Sequence, residues 1–293
     1  MRQYIEKAAV LIEALPYIQN FRDALVVVKL GGSVMEDPEL TLGALRDIVF
    51  MECVGINPVV VHGGGKSISE KLKKLNIPTK FVHGLRHTCE RTIGVVDDVL
   101  HNEINKGLVD SINALGGAAR PLSGKSFLTA RRLHLDDPAT GEKLDIGFVG
   151  DVCTVDTAPI LKAVAEETVP VIAPLAVGED GVVYNINADT AACKIAEALK
   201  ARKLVFISDV PGILADPKNE ESVISTLTVP EIDNLIATGV ISSGMIPKVR
   251  SAVDALNAGT SKVHMIDGRL RHSLLLEIFT NSGVGTEIVK QVI

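Results

Sequence analysis

The sequence contains no long run of Lys and Arg, no stretch of 18 apolar residues and no C-x-x-C pair. The first absence, with a formal net charge of -6, argues against nucleic acid or an anionic membrane as the main partner. The second, together with the lack of a charged leader running into an apolar segment and a cleavage site, leaves nothing to export or anchor the chain and predicts a cytoplasmic protein. The third leaves Cys53, Cys89, Cys153 and Cys193 isolated, with no His at zinc spacing, which predicts a reducing compartment and no protein-bound metal. What remains is 293 residues with 46% hydrophobic content, enough to bury a full core as one large α/β domain or two closely packed lobes.

The chain is organised around Val26-Val27-Val28-Lys29-Leu30-Gly31-Gly32-Ser33. Consecutive β-branched residues suit a strand buried on both faces of a parallel sheet. Lys29 then stands at the carboxyl end of that strand, where open α/β sheets bind ligands, and the two glycines allow a tight turn that brings N–H groups to an anion. A phosphate clamp and a snorkelling lysine before an ordinary turn both fit this stretch alone. The pattern recurs in Pro58-Val59-Val60-Val61-His62-Gly63-Gly64-Gly65-Lys66-Ser67, where a glycine turn feeds a helix amino terminus and its positive dipole end. It is not a Walker A loop, since Val60 stands where that motif needs glycine. His62 reads either as a base or as a structural residue beside the turn.

Further along, Arg86 lies in a loop before a helix expected over residues 89–115, a place that suits a bidentate grip on a carboxylate or an ordinary surface salt bridge. Residues 118–157 read as short hairpins forming a flap beside the crevice. Asn185, Asn187 and Asp189 alternate, so an extended strand end would turn all three to one side, while Asp189 also suits a helix cap. Buried strands are expected at 168–174, 204–208, 263–267 and 285–289, and Lys248 in the first turn of a helix. The charged loop 216–225 is fit to lie over a nucleotide. At the start, apolar residues at helical spacing over 5–21, interrupted by Pro16, predict a helix that packs on its own domain or docks on another subunit. Alternating strands and helices argue a three-layer α/β/α sandwich around a mainly parallel sheet.

Taken together, Lys29-Leu30-Gly31-Gly32, His62-Gly63-Gly64-Gly65, Gly84-Leu85-Arg86, Tyr184-Asn185-Ile186-Asn187-Ala188-Asp189, Ser208-Asp209-Val210 and Gly244-Met245-Ile246-Pro247-Lys248-Val249 resemble the N-acetylglutamate kinases of the amino acid kinase family, over nearly the whole chain and in the same order. The resemblance implies the amino acid kinase fold and phosphorylation of the side-chain carboxylate of N-acetyl-L-glutamate by ATP with Mg²⁺, the second step of arginine biosynthesis. Aspartate, glutamate or carbamate kinases, and an inactive nucleotide-binding regulator, are the alternatives. Carried over by position, Lys29 and Lys248 are the transition-state lysines and Asp189 the aspartate that orients them. Gly64, Gly65, Arg86 and Asn185, with Asn187 beside them, match the acetylglutamate side, and Gly32 and Asp209 the nucleotide side. Two stretches depart from the family pattern, His87-Thr88-Cys89 after the arginine and Pro121-Leu122-Ser123-Gly124-Lys125-Ser126.

The same resemblance implies an organisation into a helix at 1–22 that joins subunits, an acetylglutamate-binding lobe at 23–175 and an ATP-binding lobe at 176–293. Arginine-sensitive members interlace dimers into a hexamer through such a helix. Tyr17, Lys203, His264, Glu277 and Gly283 lie where their inhibitor pocket would be, which makes L-arginine an expected feedback ligand and leaves room for a regulatory partner of the PII type.

Overall fold

In the computed structural model of the chain, residues 1–136, 141–241, 245–280 and 283–291 are described. Ser242, Ser243 and Gly244, which open the last motif, lie outside them. In chain order the first half comprises α1 (Arg2–Phe21), β1 (Leu25–Leu30), α2 (Pro38–Cys53), β2 (Asn57–His62), α3 (Gly65–Lys74), β3 (Phe81–Val82), β4 (Leu85–Arg86), α4 (Glu90–Asp98), α5 (Lys106–Ala114), β5 (Ala119–Ser123), β6 (Leu128–Asp136) and β7 (Lys143–Val155). The second half comprises α6 (Ala158–Ala165), β8 (Val169–Ala173), β9 (Leu175–Val177), β10 (Val183–Ile186), α7 (Ala188–Leu199), β11 (Lys203–Ser208), β12 (Thr226–Thr228), α8 (Val229–Ala237), α9 (Ile246–Ala258), β13 (Lys262–Asp267), α10 (Ser273–Phe279) and β14 (Gly285–Val289).

Eight strands form one sheet in the order β12-β14-β13-β11-β1-β2-β8-β5, parallel except for the β13–β14 pair. The alternation of side chains along the central strands divides the core in two. Val27, Val59, Val61, Leu204 and Phe206 face α7 and α9, whereas Val26, Val28, Val60, Val205 and Ile207 face α2, α5 and α10. All ten are buried, each contributing about 1.5–3 kcal/mol of hydrophobic stabilisation for a full side chain. This is the expected three-layer sandwich. From β1 the chain moves to β2 on one side and returns as β11 on the other, so strand order reverses at β1 and opens a crevice at its carboxyl end.

Several local expectations change. Pro16 does not interrupt α1, which runs unbroken through it; a proline there removes one N–H but need not end a helix whose neighbours keep helical angles. Residues 118–157 are not a set of short hairpins: β5 is the edge strand of the main sheet, while β6 and β7 make one long hairpin that closes with β9 and β10 into a small barrel. Helix 89–115 contains a π-helical stretch over residues 99–105 between α4 and α5. Asn185, Asn187 and Asp189 do not share a strand face, because β10 ends at Ile186 and Asn187 caps α7 through Asp189 and Thr190 N–H groups. Thr226–Thr228, which had no strand signal, pairs with β14.

Candidate functional site

Lys29 ends the buried run of β1, and its ammonium folds back over the glycine turn. A Cβ on Gly31 would overlap Lys29 Nζ, so only glycine leaves room for this conformation. Nζ lies 2.8 Å from Asp189 Oδ1, and Asp189 stands in the first turn of α7, where the helix dipole favours a carboxylate. Gly32 takes φ +64° and faces the Asp209 carboxylate, which a Cβ would meet at 3.6 Å. Lys248, in the first turn of α9, completes the group. Burial holds its pKa below the usual lysine value; Asp189 and Asp209 pull it up and Lys29 pushes it further down. Asp189 therefore acts on both lysines.

The opposite wall carries Arg86. It is buried, with Nη2 donating to Gly65 O and to Ser69 Oγ, each at 2.7 Å, and its guanidinium lies 4.7 Å from the Phe81 ring centre. Nη1 is buried without a protein partner among the described residues, an arrangement that leaves donors for an anionic ligand. Burial alone lowers its pKa, and the group stays cationic. Thr88 ties this wall to the barrel. Its N–H donates to Ile146 O, its carbonyl accepts from Phe148 N–H, and its hydroxyl accepts from Asn185 Nδ2 at 3.3 Å. A Cβ on Gly147 would overlap Thr88 O.

Lys29, Gly32, Gly64, Gly65, Arg86, Asn185 and Asn187 line one cavity of about 220 Å³. Asp189 joins it through its ion pair with Lys29. Asn187 differs from the others in that its side-chain oxygen serves the α7 cap. Two site residues had escaped the sequence reading: Ser69, signalled only by its place one helical turn after Gly65, and Thr88, visible only as part of a departure. His62 is not placed as a base. Both ring nitrogens are occupied, by Gly63 O and Asn105 Nδ2 at 2.9 and 3.0 Å, and burial pushes its pKa down to about 4. Lys66 is an exposed residue paired with Glu36 at 2.8 Å.

The remaining candidates gather elsewhere. Tyr17, Lys203, His264, Glu277 and Gly283 line a larger cavity, about 660 Å³, at the amino ends of β11 and β13. Glu277 Oε1 lies 2.6 Å from His264 Nδ1 and 3.3 Å from Lys203 Nζ, and Oε2 accepts from Val284 N–H. Burial would raise the Glu277 carboxyl, but His264, Lys203 and that N–H bring it down to about 2. Gly283, at φ +60°, is the residue that lets the carboxylate close, since a Cβ would stand 2.7 Å from Oε2.

With this geometry in place, comparison with known proteins is decisive. Residues 24–267 match the amino acid kinase family. The acetylglutamate kinase of Carboxydothermus hydrogenoformans is 48% identical over 98% of this chain and 99% of its own length, and that of Aquifex aeolicus is 48% identical over the same shares. This chain belongs to the acetylglutamate kinases of the amino acid kinase family. Among solved structures, N-acetylglutamate synthase from Neisseria gonorrhoeae superposes with a TM-score of 0.84 at 26% identity, covering 98% of this chain and 64% of that one. A Giardia carbamate kinase shares the fold with a TM-score of 0.67 at 14% identity, over 92% of this chain and 99% of that one. In this chain the ends of β1 and β2, the β3–β4 hairpin and the start of α7 line the crevice cavity, and α10 and the end of α1 line the second one.

Proposed function

We propose that the crevice at the carboxyl ends of β1 and β2 transfers the γ-phosphoryl group of ATP to the side-chain carboxylate of N-acetyl-L-glutamate, forming N-acetyl-L-glutamyl 5-phosphate and ADP in the cytoplasm. The observation that carries this reading is the convergence of Lys29, Lys248 and Asp189 opposite a buried arginine with spare donors. Phosphoryl transfer asks the protein for in-line placement and for charge neutralisation around the moving group. Lys29 and Lys248 supply two ammonium groups, and Asp189 holds them in register. The glycine turns at Gly32 and Gly64–Gly65 offer N–H groups, and Arg86 takes an acetylglutamate carboxylate. The attacking carboxylate has an ordinary pKa of about 4.3 and needs no general base at neutral pH, which agrees with a neutral, fully engaged His62.

Mg²⁺ fits this donor set as an ion that arrives on the nucleotide. Asp189 and Asp209 flank the phosphate turn, and a hard cation of this kind is held by one or two carboxylates together with substrate phosphates. In this reading acetylglutamate lies with Arg86 and Asn185, and ATP with Gly32, Asp209 and α9. A coupled ADP-release assay over N-acetylglutamate, glutamate, aspartate and carbamate tests the assignment. Turnover with N-acetylglutamate well above the others is expected, and preference for any of the others would replace it with the corresponding amino acid kinase activity.

The second cavity favours an added regulatory reading. Glu277 and Glu287 offer carboxylates to a guanidinium, and a solved N-acetylglutamate synthase of this fold carries L-arginine. Ahead of the part that lines the cavity, the leading turns of α1 expose Tyr4, Ile5, Val10, Leu11 and Ile12 at 62–70%, an apolar surface suited to a partner subunit. In this reading arginine binds away from the crevice and favours one hexamer geometry over another. Sedimentation equilibrium should give a hexamer that deletion of residues 1–22 reduces to dimers with loss of arginine sensitivity; a full-length dimer, or activity unmoved by saturating arginine, removes this regulatory reading.

A further inference from the structure

Behind the glycine turn after β2 lies a buried polar link that the phosphoryl-transfer scheme does not use. His62 is fully buried and Asn105, 1% exposed, ends the π-helical stretch. Asn105 Nδ2 lies 2.9 Å from Val171 O and 3.0 Å from His62 Nε2, while His62 Nδ1 lies 2.9 Å from Gly63 O. A carbonyl only accepts, so the Asn105 atom facing Val171 is its NH₂ group. The second hydrogen of that group faces Nε2, which must present a lone pair, and the ring proton therefore sits on Nδ1 and is donated to Gly63 O. The other tautomer would oppose N–H to N–H at Asn105 and lone pair to carbonyl at Gly63. An imidazolium would clash at Asn105.

This tautomer has a consequence across the next peptide. A planar trans peptide points its C=O and N–H in opposite directions. With the Gly63 carbonyl held by His62 on the buried side, the Gly64 N–H turns toward the cavity that Lys29 and Arg86 line. Gly63 N–H is fixed as well, donating to Leu30 O at 2.8 Å, and among the described residues no backbone acceptor meets the Gly64 N–H. The same π-helical stretch closes over Gly64 from above, since a Cβ there would stand 2.7 Å from both Leu100 and Ile104. Such π segments concentrate at functional sites.

We propose that Asn105 and His62 are positioning residues for phosphoryl transfer: Asn105 selects the Nδ1–H tautomer of His62, and His62 holds the Gly63 carbonyl so that the Gly64 N–H is aimed at the transferring group. The proposal rests on the active-site reading above. A backbone donor aimed at transition-state charge is worth about 10²-fold in kcat, which sets the size of the expected effect.

The test compares His62→Asn, whose amide N–H replaces Nδ1–H, with His62→Gln, whose amide replaces Nε2. The Asn variant should stay within about tenfold of the parent kcat and the Gln variant should lose about 10²-fold, with the KM for ATP held and melting midpoints alike. Equal losses in the two variants would overturn the proposal. Asn105→Asp adds a pH readout. Its carboxylate draws the ring proton to Nε2 and frees the Gly63 carbonyl, and it also sets an acceptor against Val171 O; acidification adds a second ring proton and restores the Gly63 contact. The kcat of this variant should rise as pH falls through a range where the parent is flat, and a uniform loss would mean a merely structural role and overturn the proposal. Asn105→Leu, which loses the Val171 contact without drawing the proton, should show no rise with acid, and a rise in both variants would overturn the proposal. His101 is the titratable neighbour that bears on the ring, itself 2.7 Å from Asp97, which pairs with Lys125 at 2.7 Å; it is common to parent and variant, so the difference between profiles excludes it. If Asn105→Asp does not fold, the His62 pair decides. Persisting turnover in Lys29→Ala would instead overturn the active-site reading, whatever these variants do.

Discussion

Two buried lysine–carboxylate pairs occupy adjacent strands, and they differ in everything except chemistry. Lys29 is at the carboxyl end of β1 with Asp189, on the face covered by α7 and α9; Lys203 is at the amino end of β11 with Glu277, on the face covered by α10. In register, Lys203 is level with Val26, so Lys29 lies about 10 Å further along the strand direction. At the Lys29 end two ammonium groups converge on one carboxylate beside an open turn. At the Lys203 end Glu277 is gripped by a lysine, a histidine and a backbone N–H, with Glu287 beside it, and the Glu277 side chain is 6% exposed against 20% for Asp189. Incomplete compensation leaves charge for a ligand. Fuller compensation ties α10 to the sheet, and under the proposed function this difference makes the Lys29 end the one that turns over and the Lys203 end the one that carries more of the stability.

The sharpest way to break the comparison is at the closed end. Glu277→Ala strands Lys203 and His264 in a buried site, and removing one partner of such a pair costs about 3–5 kcal/mol. Urea unfolding should show that loss, with turnover much less affected; an unchanged midpoint would mean the Glu277 network is not stabilising. Acid sharpens the comparison next, because each end hides a histidine. Burial pushes His62 down to about 4, against an unfolded value near 6.5, so the unfolded chain binds more protons between these limits. Its contribution, about 3 kcal/mol, is fully present above pH 6.5 and lost as pH falls toward 4. Burial lowers His264 in the same sense. Denaturation midpoints should therefore fall from pH 7 to pH 4.5, and equal midpoints would contradict the buried neutral rings.

The open end yields smaller free-energy changes but larger kinetic ones. Lys248→Ala should lose about 10²-fold or more in kcat with its fold retained, and circular dichroism with initial rates checks both halves of that expectation. Arg86→Lys should raise the KM for acetylglutamate about tenfold or more and leave that for ATP nearly unmoved, since an ammonium cannot reproduce the planar fork. Equal shifts in both would move Arg86 off the acetylglutamate wall.

Much of this was legible in the residues. Runs such as Val26-Val27-Val28 and Val59-Val60-Val61 have few alternatives to a buried parallel strand, and a glycine turn after such a strand has one place to go, the carboxyl edge. The second cluster has no such motif: Tyr17, Lys203, His264, Glu277 and Gly283 are scattered along the chain and are grouped only by the resemblance, whereas Lys29 and Gly64 each sit at or just after the carboxyl end of an apolar strand. What stayed hidden depends on contacts between distant segments. Asn105 carries no local signal, and its partner His62 lies 43 residues earlier. Thr88 shows in the sequence only as part of the His87-Thr88-Cys89 departure, and its role needs Gly147, which lets its carbonyl approach β7. Pro16 carries a strong local signal that the surrounding helix overrides, and β12 is too short for any period to show before β14 pairs with it.

The most direct measurement is the acetylglutamate-dependent rate of ADP formation by Lys29→Ala, taken together with its melting midpoint. If charge left uncompensated at the carboxyl end drives turnover, kcat falls about 10²-fold or more while the midpoint stays within a few degrees of the parent. Near-normal turnover in a folded Lys29→Ala enzyme would contradict the division of labour between the two ends.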